Sequence, residues 1–119
     1  MSSPSRRCVL LVEDDSMVRD TIAMMLEDDY DVRSAASVSA ALALLLASDP
    51  IAIDVMLVDC LLPDGNPAEI LREADRKSIP VVLISGDPSQ MAVLGPERRF
   101  LPKPFTRAHL LATLDTARD

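Results

Sequence analysis

Five polar residues, drawn from four distant parts of the chain, stand at the ends of short apolar runs. Glu13 and Asp14 follow Cys8–Val12, Asp59 follows Val55–Val58, Ser85 closes Val81–Ile84, and Lys103 sits between Pro102 and Pro104 just past Phe100 and Leu101. Two or three carboxylates gathered with room for water suit Mg²⁺, which takes oxygen ligands and keeps several of its waters. Zinc would call for His or Cys at these places. Phosphoryl transfer needs in-line placement and neutralisation of the equatorial oxygens. Mg²⁺, the Lys103 ammonium and the Ser85 hydroxyl would neutralise them, leaving one aspartate free to attack phosphorus and form an acyl phosphate. Taken singly, each residue has a plainer use: Asp59 and Ser85 are common turn formers, and Asp15 or Ser16 can cap a helix and absorb one acid of the Glu13–Asp14–Asp15 run.

The chemistry therefore depends on whether the fold gathers these run ends. The stretch Ile53–Asn66 is the centre: Val55, Met56, Leu57 and Val58 form an unbroken apolar run, as in a strand buried on both faces, and Pro63, Asp64, Gly65 and Asn66 then turn the chain. Cys8–Val12 and Ser78–Ser85 read the same way, with Pro80 near the start of the latter. Tyr30–Ala35 is a more polar strand suited to a sheet edge, and Phe100–Leu101 makes a brief fifth strand. Between them lie helical stripes: Val18, Ile22, Met25 and Leu26; Val38, Ala41, Leu42 and Leu45 after Ser37, closed by Asp49 and Pro50; Ile70, Leu71 and Ala74 behind an Asn66 cap with Pro67 at the first position; and Leu110, Leu111 and Leu114 after Thr106. His109 falls beside the last stripe, in a surface or packing place. Only Met91–Leu94 remain for a helix before Gly95 and Pro96, so that fourth helix is short or irregular. Strand and helix alternate, which with right-handed crossovers predicts an α/β doubly wound, five-stranded parallel sheet with helices on both faces. All strand exits of such a sheet share one edge, and that edge collects Glu13, Asp14, Asp59, Ser85 and Lys103.

At 119 residues the chain makes one domain over 7–119 behind a short flexible lead, 1–6. With 49% apolar but only 3% aromatic residues, its core is aliphatic, as where helices pack on a parallel sheet. A net charge of −7 argues against direct nucleic-acid or anionic-membrane binding and favours a cation or a basic partner surface. No apolar run spans a bilayer. Cys8 and Cys60 fall at opposite ends of their strands, over ~10 Å apart at about 3.3 Å per residue. That is too far for a disulfide, so two reduced thiols and a cytoplasmic location are expected.

Four segments, LLVEDD (Leu10–Asp15), DVMLVDCLLPDG (Asp54–Gly65), VVLISG (Val81–Gly86) and FLPKPF (Phe100–Phe105), stand in the order and roughly the spacing of a known family. Over residues 7–117 the chain resembles the CheY-like receiver domains of two-component response regulators, which implies the flavodoxin-like strand order 2-1-3-4-5. The resemblance implies that Asp59 accepts a phosphoryl group from the phosphohistidine of a histidine kinase or phosphotransfer protein. It implies that Asp14, Asp59 and the backbone carbonyl of Leu61 hold Mg²⁺ with Glu13 nearby, and that Ser85 and Lys103 contact the phosphoryl oxygens. Gly86 would leave room for the donor, Leu61 and Asp87 would border the path of the attacking water and tune phosphate lifetime, and Ser85 and Phe100 would be the switch residues. A cis Lys103–Pro104 peptide and a downstream effector protein belong to the same expectation. The domain would not be an enzyme beyond its own aspartyl phosphorylation and dephosphorylation, and would be a monomer or weak dimer. The chain departs from the family pattern at Pro67, where many relatives carry glycine, in the short stretch Gly86–Arg99, and at Phe100, where tyrosine is frequent. Two rival readings use the same ingredients. One is a pseudo-receiver that only docks partners; the other is a haloacid-dehalogenase-type phosphatase, which would need its nucleophile in an Asp-x-Asp motif on the first strand.

Overall fold

A computed structural model of the chain describes residues 7–48, 52–87, 89 and 98–117. The expected lead (1–6), the helix stop at Asp49 and Pro50, and the short helix over Met91–Leu94 lie outside these residues. Five strands, β1 (Arg7–Val12), β2 (Tyr30–Ala35), β3 (Val55–Asp59), β4 (Val81–Ser85) and β5 (Arg99–Pro102), form one parallel sheet in the order β2-β1-β3-β4-β5. Four described helices, α1 (Ser16–Leu26), α2 (Val38–Leu45), α3 (Ala68–Arg76) and α4 (Arg107–Ala117), connect or follow them.

The unbroken apolar runs are explained by two cores. Successive strand residues point to opposite faces, so Val9, Leu11, Val55, Leu57, Val82 and Ile84 pack with Ile22 and Leu26 of α1 and Leu110 and Leu114 of α4. On the other face Leu10, Val12, Met56, Val58 and Leu83 pack with Val38, Ala41 and Leu45 of α2 and Ile70, Leu71 and Ala74 of α3. Burying each of the Val, Leu, Ile and Met side chains stabilises the fold by about 1.5–3 kcal/mol, and because both faces are covered no position in β3 or β4 is left for a polar residue until the strand ends. The polar strand β2 lies at the edge, paired only with β1.

Local capping follows the sequence closely. Asp15, rather than Ser16, caps α1 by accepting from the Met17 and Val18 amides, Ser37 accepts from Ala40 N, and Thr106 accepts from His109 N. Asn66 caps α3 by accepting from Ala68 N, and Pro67 already has helical dihedrals, as expected of a first helical position. Strand β4 begins at Val81 rather than Ser78. Cys8 enters β1 beside Asp31, Cys60 follows the exit of β3, and both thiols are free.

A second cap on α2 comes from outside the helix. Asp64, in the turn after β3, accepts from Val38 N at 2.9 Å, Ser39 N at 3.1 Å and Ser39 Oγ at 2.8 Å, and these bonds hold its carboxyl below the usual carboxylate range. Anions at helix N-termini are favourable and satisfy orphan amides. Asp64→Ala is therefore expected to lower Tm by a few degrees and to speed amide exchange at Val38 and Ser39, while α3 amides stay protected. Equal loss of protection in both helices would contradict the local cap.

Candidate functional site

The strand ends meet where the topology requires. Register places Val12 of β1 beside Val58 of β3, and Asp59 beside Ile84, so the residues just beyond each strand face one another at the carboxyl edge. The buried polar side chains among the described residues are Glu13, Asp59 and Ser85, and all three sit there. Burying a charge is costly without a partner, and the partner is Lys103. Its Nζ lies 3.3 Å from Asp59 Oδ2 and 3.5 Å from Glu13 Oε1, with about a third of the side chain still exposed. Lys103 is positioned by its own backbone: its N–H donates to Ser85 O at 2.9 Å, and the Lys103–Pro104 peptide is cis, as the resemblance implies.

Asp14 is exposed but close enough that one carboxylate oxygen from each of Glu13, Asp14 and Asp59 lie within 4.8 Å of one another. Three hard oxygen donors, one exposed to bulk water, fit Mg²⁺, which keeps part of its hydration shell. At Leu61, which is largely exposed, the observed contact is its N–H donating to Asp59 Oδ1 at 3.0 Å. This bond fixes one oxygen of Asp59 and leaves the other facing Lys103.

Glu13 shows the cost of assembling the cluster. It is buried, its carboxyl reaches Asp59, and Asp15 N donates to its Oε2 at 3.2 Å. Burial first, then the neighbouring Asp59, pushes its pKa up to about 7, against the opposing pull of the Asp15 amide and Lys103. For Lys103 burial pulls downward, but Asp59 and Glu13 outweigh it and hold the ammonium above its ordinary value. A carboxyl whose folded pKa exceeds the unfolded one contributes stability that is present below the unfolded pKa and lost as pH rises through the folded one. Metal-free protein should thus lose stability between about pH 4.5 and 7 through this group. Glu13→Gln is expected to remove that slope and to be more stable than wild type at pH 8 by about 1–3 kcal/mol, read by denaturant melts in EDTA. Parallel pH profiles for the two proteins would refute it.

The remaining expected residues occupy the rim. Ser85 Oγ accepts from Asp87 N at 2.9 Å and donates to Asp87 O at 3.1 Å, so its hydroxyl is engaged with its own loop. A methyl at Gly86 would meet nothing within 4 Å, so the space beside it is open to solvent. Asp87 is exposed and accepts from Ser89, and Phe100 is half-buried against the core shared with α2 and α3. His109 is exposed on α4 and outside the cluster. Two contacts are not foreseeable from residue types alone: the Leu61 amide on Asp59, and the Arg19 guanidinium, whose Nη1 donates to Glu13 O.

Residues 9–115 match the family described as response regulator receiver domain. Among solved structures, the chain is similar to the chemotaxis protein CheY4 of Vibrio cholerae, at 25% identity and TM-score 0.80 over 95% of this chain and 99% of that one. It is similar to a response regulator receiver protein of Sinorhizobium medicae at 26% identity and TM-score 0.84, over 96% and 98%. A receiver domain protein of Clostridium thermocellum gives 25% identity and TM-score 0.80, over 94% of each chain.

Proposed function

We propose, on the premise that the chain belongs to the response regulator receiver domain family, that Asp59 accepts a phosphoryl group from a phosphohistidine and that the resulting acyl phosphate changes partner binding. The observation that carries this reading is the Lys103 ammonium 3.3 Å from Asp59 Oδ2 in a cluster that also holds Glu13 and Asp14. The carboxylate oxygen forms the new bond to phosphorus as the phosphorus–nitrogen bond to the donor imidazole breaks, its electron pair leaving with the ring. Leu61 N–H restrains Asp59 Oδ1, and Lys103 supplies positive charge to the transferring oxygens. Asp14, Asp59 and Glu13 are the side chains that would hold Mg²⁺, which when bound neutralises charge on the phosphoryl oxygens.

Adding a dianionic group gives the Ser85 hydroxyl a stronger acceptor than the Asp87 carbonyl. Its release from Asp87 would free the 85–87 turn to rearrange, with Phe100 repacking on the neighbouring strand. The partners on this reading are a histidine kinase or phosphotransfer protein and an effector protein, in the cytoplasm, and the domain is no enzyme beyond its own phosphorylation cycle. Among the described residues no helix is long and apolar enough to cross a membrane.

Incubation with acetyl phosphate, with and without Mg²⁺, tests the reading by intact mass. One hydroxylamine-labile phosphoryl group that depends on Mg²⁺ is expected. No modification would favour a docking module, and repeated hydrolysis of a phosphomonoester would favour a phosphatase.

A further inference from the structure

Arg19 lies one helical turn beyond the Asp15 cap, and side chains on a helix lean toward its N-terminus. Its Nη1 reaches back over that end and donates to Glu13 O at 2.9 Å and, more weakly, to Asp14 O at 3.5 Å. These are the carbonyls of the two residues whose carboxylates join Asp59 in the acidic cluster. The same loop is tied elsewhere: Glu13 N donates to Ala35 O at 3.0 Å, Asp15 N donates to Glu13 Oε2 at 3.2 Å, and Arg19 N donates to Asp15 O at 2.8 Å. Of the ties on this short loop, the guanidinium is the one made by a side chain from α1 to the main chain of the acidic pair.

A cation beside a cation site is electrostatically unfavourable. If Arg19 acted only through its charge, removing it would strengthen metal binding. Its hydrogen bonds act in the opposite sense, because groups that orient ligands from behind govern metal affinity by about 10–100-fold. The guanidinium spends its donors on main-chain carbonyls, and among the described residues no ion pair joins it to a carboxylate of the cluster. That placement favours the orienting role.

We propose that Arg19 is a positioning residue that holds the Glu13–Asp14 main chain so that both carboxylates converge on Asp59 to bind a divalent cation. The proposal rests on the reading of Glu13, Asp14 and Asp59 as a Mg²⁺ site. Calorimetric titration of Mg²⁺ into wild type, Arg19→Gln and Arg19→Lys tests it, alongside thermal melts in EDTA and the Mg²⁺ dependence of acetyl phosphate labelling. In Arg19→Gln the dissociation constant is expected to rise about tenfold, with labelling at saturating Mg²⁺ within about threefold of wild type. Arg19→Lys, which keeps a charged donor, is expected to recover most of the affinity. Unchanged or tighter Mg²⁺ binding in Arg19→Gln would overturn the positioning role while leaving the site intact. So would a weakening that lysine fails to recover while both variants melt equally early, since that marks a general structural loss. Absence of Mg²⁺ binding in wild type would instead overturn the metal-site reading itself, and the proposal with it.

Discussion

Asp59→Asn is expected to leave a folded protein that takes up no hydroxylamine-labile phosphate from acetyl phosphate, a fall in labelling of at least about 10³-fold, in line with losses on removing a nucleophile. The side chain sits at the exit of β3 with its Oδ1 restrained by Leu61 N–H, and an asparagine carbonyl can keep that bond. The change therefore removes the anion without reshaping its surroundings. Two further effects should accompany the loss. Glu13 loses the neighbouring carboxylate that raises its pKa, so the metal-free variant should be more stable than wild type at pH 8. Mg²⁺ should also bind more weakly, because one of three clustered carboxylates has gone. A variant that still acquired one labile phosphate would place the acceptor elsewhere, Asp14 being the first alternative because its carboxylate shares the cluster.

Most of this arrangement is legible in the amino-acid sequence, for a specific physical reason. In β3 and β4, and in β1 from Val9 onward, every side chain is buried, so the chain must stay apolar until the strand emerges, and the first polar residue afterwards marks the sheet edge. Glu13, Asp59 and Ser85 are those residues, and parallel topology brings them to the same edge. Contacts that depend on side-chain reach across the fold leave no such mark. Asp64 reads as part of a turn, yet it caps a helix 26 positions earlier in the chain, because the turn after β3 folds back on α2. Arg19 falls on the polar side of an amphipathic stripe, where solvation is the ordinary role, and only the closeness of the β1–α1 loop turns its donors onto Glu13 and Asp14. Ser85 shows a third limit: residue types give its position, but not the choice of its hydroxyl between the cluster and the Asp87 main chain. The start of α1 is ambiguous by a residue because Asp15 and Ser16 are both competent caps, and only the structure shows Asp15 accepting from the Met17 and Val18 amides.

Lys103→Met is expected to move metal binding and phosphorylation in opposite directions. The ammonium serves two carboxylates at once, 3.3 Å from Asp59 and 3.5 Å from Glu13, and Coulomb repulsion makes it a competitor of any cation held by the same oxygens. Methionine fills similar space without the charge. In EDTA the variant should lose about 1–2 kcal/mol, less than a fully buried pair would because Lys103 is partly exposed. Mg²⁺ should then bind more tightly than in wild type, and its addition should restore most of the lost stability. Labelling by acetyl phosphate should nevertheless fall about 10²-fold, as when one donor to a developing charge is removed. Calorimetry, melts with and without Mg²⁺, and labelling rates give the three readouts on one variant. Tighter metal binding with undiminished labelling would reduce Lys103 to a structural counter-ion. The contrast with Arg19 is the sharper test, since both are cations near one acidic cluster. Removing the Lys103 ammonium that sits on the carboxylates should raise Mg²⁺ affinity, whereas removing the Arg19 clamp on their main chain should lower it.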